Sequence, residues 1–226
     1  MSTRASGENE QRGNLVVFSA PSGTGKTTLA RRLVASVPRL RVSVSYTTRL
    51  RRRDEQDGID YHFVDRDTFA AMAGDDEFLE WAEIYGHLYG TGRQATEEIL
   101  AGGCDLLLVI DVQGASWVRK RAPRATFIFL LPPDYQALLQ RLRRRGTESS
   151  GTEAERLLVA RDEIRAWKEY DFLIVNDDLE TSLAAAKVVI LADRQRRSRM
   201  EPVAERVVAT FPGTGTVGSD SPRSPE

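Results

Sequence analysis

The chain lacks a second cysteine. Cys104 stands alone in 226 residues, so no disulfide can close within the chain and a cluster of thiolate metal ligands is excluded. Long apolar stretches are missing too: the longest, Leu106 to Ile110, is far too short to cross a bilayer. The polar stretch Met1 to Gly13 has no apolar segment after its charges that would mark a secretory leader. Neither sign of charge is in excess, since 32 basic against 33 acidic residues leave a formal net charge of −1 and no general field to attract nucleic acid. No internal repeat is found. These absences lead us to expect a protein of the reducing cytoplasm that engages neither membrane nor nucleic acid. They leave self-association into a homo-oligomer open.

What is present suffices for a sizeable core, because 41% hydrophobic and 29% charged residues is ordinary globular composition. Residues 1–13 and 212–226 are too poor in apolar side chains to order themselves and read as disordered tails around one domain, 14–211. Within it, Leu15 to Phe18, Leu106 to Ile110, Phe127 to Leu131 and Phe172 to Val175 are branched or aromatic runs without polar alternation, the pattern of parallel strands buried on both faces. Helical stripes separate them, and a last helix is expected from about Leu179 to about Ala209. Tyr135, Leu138, Leu139 and Leu142 recur at i, i+3, i+4, i+7, with Asp134 as N-cap after Pro132-Pro133. Alternating strands and helices define an α/β fold.

Two segments break the alternation. Residues from about 45 to 91 are polar and dotted with Gly, Arg and aromatics. Residues from about 143 to 156 join an arginine cluster to Gly146, Thr147, Ser149, Ser150, Gly151 and Thr152. We read the first as an insert that holds a substrate and the second as a small mobile lid.

Directly after the first strand stands Ala20-Pro21-Ser22-Gly23-Thr24-Gly25-Lys26-Thr27-Thr28, and Leu29, Leu33 and Val34 follow at helical spacing. A strand, a glycine-bearing loop and a helix start form a phosphate cradle. The glycines let backbone N–H groups close on phosphate oxygens, and the helix N-terminus adds its dipole. In this pattern Ser22, Gly23, Thr24, Gly25, Lys26, Thr27 and Thr28 line the ATP phosphates; Lys26 reaches the β- and γ-phosphates, and the Thr27 hydroxyl ligates Mg²⁺. The motif's usual first glycine is Ala20 here, which requires a negative φ at that position. Asp111 closes the run Leu106 to Ile110, at the end of a buried strand where open α/β sheets bind ligands. It can hold a Mg²⁺-bound water, reach a substrate base, or cap the next helix.

The chain resembles the guanylate kinase family from about Asn14 to about Ala192. The resemblance is carried by the cradle; by Ser43-Val44-Ser45-Tyr46-Thr47-Thr48-Arg49 with Arg52; by Asp57-Gly58-Ile59-Asp60-Tyr61-His62-Phe63-Val64; and by Glu77-Phe78-Leu79-Glu80-Trp81. Tyr89-Gly90-Thr91, Ile110-Asp111-Val112-Gln113-Gly114, Arg145-Gly146-Thr147-Glu148 and Val175-Asn176-Asp177-Asp178 complete it. It implies a parallel-sheet P-loop nucleotide kinase core with a GMP-binding insert and a small lid. The implied reaction moves the γ-phosphoryl group of ATP to GMP, giving ADP and GDP, in purine nucleotide metabolism and GMP recycling.

By this resemblance Ser45, Arg49, Arg52, Tyr61 and Tyr89 hold the GMP phosphate, since guanidinium forks match phosphate oxygens and hydroxyls add donors. Glu80 takes the paired N1–H and N2–H donors of guanine, Thr91 sits near O6, and Asp111 offers a second acceptor. Arg141, Arg145 and Arg156 converge on the ATP phosphates when the lid closes, with Lys26, Arg145 and Arg156 catalytic, and Asn176 meets the adenine edge. Tyr46 departs from the family's small hydroxyl residue and Thr91 from its commoner Ser. Two other readings stand beside this one: a kinase of AMP, UMP or dTMP, which Glu80 with Thr91 disfavours, and a noncatalytic module of the same fold, which retention of Gly25-Lys26-Thr27 disfavours.

Overall fold

The computed structural model describes residues 12–144 and 153–212, with the side chains of all of these except 144 and 153–156. In chain order the elements are β1 (Leu15–Ser19), α1 (Lys26–Ser36), β2 (Leu40–Val42), β3 (Tyr46–Thr47), β4 (His62–Phe63), α2 (Arg66–Gly74), β5 (Phe78–Ile84), β6 (His87–Gly92) and α3 (Arg93–Ala101). There follow β7 (Asp105–Val109), α4 (Val112–Arg121), β8 (Thr126–Leu131), α5 (Tyr135–Arg144), α6 (Glu153–Glu163), a 3₁₀ segment (Ile164–Glu169), β9 (Phe172–Val175), α7 (Leu179–Arg194) and α8 (Arg197–Val208). The chain divides into one unit up to Val189 and a second from Ile190.

In the first unit five strands pair in the order β2-β7-β1-β8-β9, and every pairing is parallel. β1 lies at the centre with all five of its residues buried, as a strand covered on both faces must be. The chain leaves β1 toward β2 on one side and later crosses from β7 to β8 on the other. The carboxyl ends of β1 and β7 therefore flank a topological switch point, the place where open α/β sheets take ligands. Leu29 and Leu33 of α1 and Ala115 and Val118 of α4 close the faces of this sheet.

Asp105 at the start of β7 is buried, and its Oδ1 accepts the backbone N–H of Asn14 at 2.7 Å. Truncation to Ala leaves that donor stranded away from water, which costs about 1–3 kcal/mol. Asp105→Ala should lower the urea midpoint accordingly while the m-value holds, and an unchanged midpoint would refute this role.

The insert folds as its own four-stranded sheet, β4-β3-β6-β5, with β3 parallel to β4 and antiparallel to β6. β5 and β6 form a hairpin that turns at Tyr85 and Gly86, whose φ values of 50° and 79° are those of a two-residue turn matched to strand twist. Asp65 caps α2 by accepting the Thr68 N–H at 2.7 Å, and Phe69 of that helix stacks on Phe78 with ring centroids 4.4 Å apart.

The structure alters three readings. β9 is an edge strand, so Leu173 and Val175 on one face stay exposed while Ile174 is buried; the expectation of burial on both faces fails there because β9 pairs with β8 alone. Asp134 does cap α5, accepting the Ala137 N–H at 2.8 Å, but only Leu138 and Leu142 of the stripe are buried and Tyr135 faces solvent. The helix expected from about Leu179 to Ala209 is two. Arg196 is extended (φ −57°, ψ 138°), and the buried Asp193 pairs with Arg196 and Arg199 at 2.8 Å each, fixing the break.

Candidate active site

β1 feeds Ala20 to Gly25 at its carboxyl end, and α1 begins at Lys26. Gly23 and Gly25 hold φ values of 84° and 96°, a region that costs a side chain strain, and a Cβ on Gly25 would also stand 2.9 Å from Asn176 Nδ2. Outside glycine, positive φ occurs among the described residues at Arg39, Asp76 and Tyr85, so Ala20 meets the condition its position sets. Gly25 gives α1 no side-chain cap, which leaves the positive end of the helix dipole open to an anion. Thr24 is buried and braces the loop: its hydroxyl donates to Pro21 O at 2.8 Å, and its carbonyl accepts from Asn176 Nδ2 at 2.7 Å and Arg141 Nη1 at 3.4 Å. Lys26 Nζ donates to Ile110 O at 2.8 Å, so the lysine links the loop to the end of β7. Thr27 and Thr28 are exposed on the first turn of α1.

Cross-strand register sets Glu80 on β5 opposite Thr91 on β6. Both are buried, and the Thr91 hydroxyl donates to Glu80 Oε1 at 2.6 Å. Burial pushes the Glu80 carboxyl up to about 7; donation from Thr91 works the other way, and the neighbouring Asp111 charge adds to the rise. Asp111 caps α4, its Oδ1 accepting the Gly114 N–H at 2.8 Å. The capping alternative thus holds, and the same residue still stands next to Glu80.

A second group gathers around Arg49. Its guanidinium lies 5.4 Å from the centroid of the Tyr61 ring, which meets Tyr89 edge-on at 5.9 Å, and its Nη2 donates to Glu55 Oε1 at 2.6 Å. Burial opposes the Arg49 charge, but the hydrogen bonds to Glu55 and Tyr89 outweigh it and hold the guanidinium above its ordinary range. Burial likewise raises the Tyr61 hydroxyl. Glu55 Oε2 accepts the backbone N–H of Arg52, whose side chain is exposed. Ser45 borders the group and accepts His62 N–H through its carbonyl at 2.9 Å. Tyr46 packs on His62 and Phe78, with ring centroids 4.7 and 5.6 Å away.

Arg141 of α5 also donates to Asn176 O at 2.9 Å, so Arg141, Asn176 and the loop at Thr24 form one hydrogen-bonded group. Arg145 and the side chain of Arg156 lie outside the described residues, as does most of the expected lid. Sequence reasoning missed Glu55 and Glu163. Glu163, at the end of α6, accepts the Ser22 N–H at 3.1 Å; burial raises its carboxyl, and Ser22 and the Lys26 charge temper the rise. Its partner is 141 residues away and no spacing signals it. Glu55, six residues after Arg49 in a basic run, was the more readable of the two.

A parallel sheet with a glycine-bearing loop and an uncapped helix at its switch point, joined to a separate insert sheet, defines a P-loop nucleotide kinase. The family model described as guanylate kinase matches residues 12–193. A guanylate kinase of Syntrophotalea carbinolica is 46% identical over 198 residues, covering 88% of this chain and 94% of its own; one of Pseudomonas fluorescens is 43% identical over 201 residues, covering 89% and 98%. The crystal structure of guanylate kinase from Anaplasma phagocytophilum matches with a TM-score of 0.71 at 32% identity, over 84% of this chain and 90% of that one. The chain belongs to the guanylate kinase family.

Proposed function

We propose that the chain transfers the γ-phosphoryl group of ATP to GMP, releasing ADP and GDP in the cytoplasm. The observation that carries the choice of acceptor is the buried Glu80–Thr91 pair beside Asp111. An ionised Glu80 offers two acceptor oxygens to the adjacent N1–H and N2–H donors of guanine, an arrangement adenine cannot satisfy. Arg49, Arg52, Tyr61, Tyr89 and Ser45 take the GMP phosphate, which competes with Glu55 for the Arg49 fork. Ser22 to Thr28 line the ATP phosphates, Lys26 turns from Ile110 O toward the β- and γ-oxygens, Arg141 supports the loop, and Asn176 stands at the adenine side.

The chemistry needs no general base from the protein. Lys26, with Arg145 and Arg156 of the lid, neutralises charge on the migrating group, while the insert holds the acceptor oxygen in line. Among the described residues no cluster of three or more His, Cys, Asp or Glu side chains is placed to cage a cation. The Thr27 hydroxyl and, through water, the Asp111 carboxylate fit Mg²⁺, an ion that usually keeps substrate phosphates and waters as its other ligands. Mg²⁺ carried with ATP would supply further neutralisation of phosphate charge. No helix among the described residues is long and apolar enough to span a membrane. Phosphorus NMR of ATP and GMP mixed with the enzyme and Mg²⁺ tests the reading: ADP and GDP should appear together, and ADP with inorganic phosphate alone would contradict it.

Glu80 also makes GMP binding depend on pH. Guanine requires the carboxylate, and the ligand-free group titrates near 7, so protonation below that value removes the acceptor. The KM for GMP should therefore rise about tenfold between pH 8 and pH 6. GMP itself titrates near pH 6, so the decisive comparison is with Glu80→Gln, in which the part of the rise due to Glu80 should vanish. Identical profiles would refute the assignment.

A further inference from the structure

Gly114 is the third residue of α4, a position where glycine is among the poorest helix formers and alanine the best. Its backbone does not need glycine, because Gly114 is absent from the glycines with positive φ. The reason for glycine lies above its Cα. A Cβ built there would stand 2.5 Å from Glu80 Oε2, 3.2 Å from Glu80 Cδ and 3.3 Å from Asp111 Oδ1. The first distance is below any that packed atoms accept, and the atom that must yield is the end of the Glu80 side chain. Glu80 cannot yield in place: Thr91 holds its other oxygen at 2.6 Å and the carboxyl is buried.

We propose that Gly114 is a positioning residue for guanine selectivity: the missing Cβ is the space in which the Glu80 carboxylate stands, and any side chain there drives the carboxylate off the line of guanine's paired donors. The inference rests on the reading of Glu80 as the guanine acceptor. It assigns to α4 a part in choosing the base, beyond the Asp111 cap that begins the helix. The helix gives up propensity at this residue, and the site gains a carboxylate in a fixed place.

The test is a double-mutant cycle read as kcat/KM for GMP, with KM for ATP and the melting temperature as controls. Gly114→Ala should leave KM for ATP within about twofold and lower kcat/KM for GMP about thirtyfold or more, and Glu80→Asp should relieve any fall in melting temperature it causes. Glu80→Asp withdraws the carboxylate by one methylene and clears the space a Cβ needs, so adding Gly114→Ala to Glu80→Asp should cost less than about threefold. An equal loss in both backgrounds, a matching rise in KM for ATP, or a fall in melting temperature that Glu80→Asp does not relieve would overturn the proposal. Glu80→Gln separates the two levels. If it leaves kcat/KM for GMP unchanged, the reading of Glu80 itself fails; if it lowers kcat/KM while Gly114→Ala does not, only the role of Gly114 fails.

Discussion

Lys26→Ala should reduce turnover at least 100-fold, a loss of about 3 kcal/mol or more of transition-state stabilisation, while the circular dichroism spectrum and melting temperature stay near those of the parent. The lysine lies at the start of α1 with its stem only partly covered, and its ammonium donates to a backbone carbonyl at the end of β7. Its removal deletes charge that faces phosphate and takes nothing from the core of Val16, Val17, Phe18 and Leu108. The loss should fall on kcat more than on the KM for GMP, because the lysine meets the migrating group and not the acceptor base. Turnover above a tenth of the parent's would contradict the assignment, and so would a large fall in melting temperature.

Glu80→Gln should lower kcat/KM for GMP about 100-fold or more while KM for ATP changes little. The substitution is nearly isosteric, but it turns one acceptor oxygen into an NH₂ that faces a donor of the base. A buried polar group left against its own kind costs about 2–3 kcal/mol. The Thr91 hydroxyl can still donate to the amide oxygen, so the insert keeps its β5–β6 hairpin. If GMP kinetics are unaffected, or ATP binding weakens equally, Asp111 becomes the candidate for reading the base.

The parts of this molecule that a reader of the sequence could find share a physical property: their signal is local. β1 and β7 announce themselves because a strand covered on both faces is an unbroken apolar run, and the phosphate loop because one backbone path needs glycine at two positions and a lysine at the helix start. Glu80 and Thr91 were legible through the resemblance, although nothing in the spacing says that a hairpin at Tyr85-Gly86 sets them opposite one another. What stayed hidden depends on distant partners. The Glu163 carboxylate reaches Ser22 across 141 residues, and Gly114 has meaning only once the insert folds over α4. β9 reads as a buried strand in isolation, and its place at the sheet edge decides that Leu173 and Val175 stay exposed.

The choice of acceptor separates a guanylate kinase from other nucleoside monophosphate kinases. ADP release from ATP and Mg²⁺, followed with GMP, AMP, UMP and dTMP in turn at pH 8, measures that choice. GMP should be phosphorylated with a kcat/KM at least about 1000-fold above the others, the margin expected where a site's buried acceptors go unpaired with the wrong base. Comparable turnover of AMP or of a pyrimidine monophosphate, or no ADP release with any of the four, would contradict it.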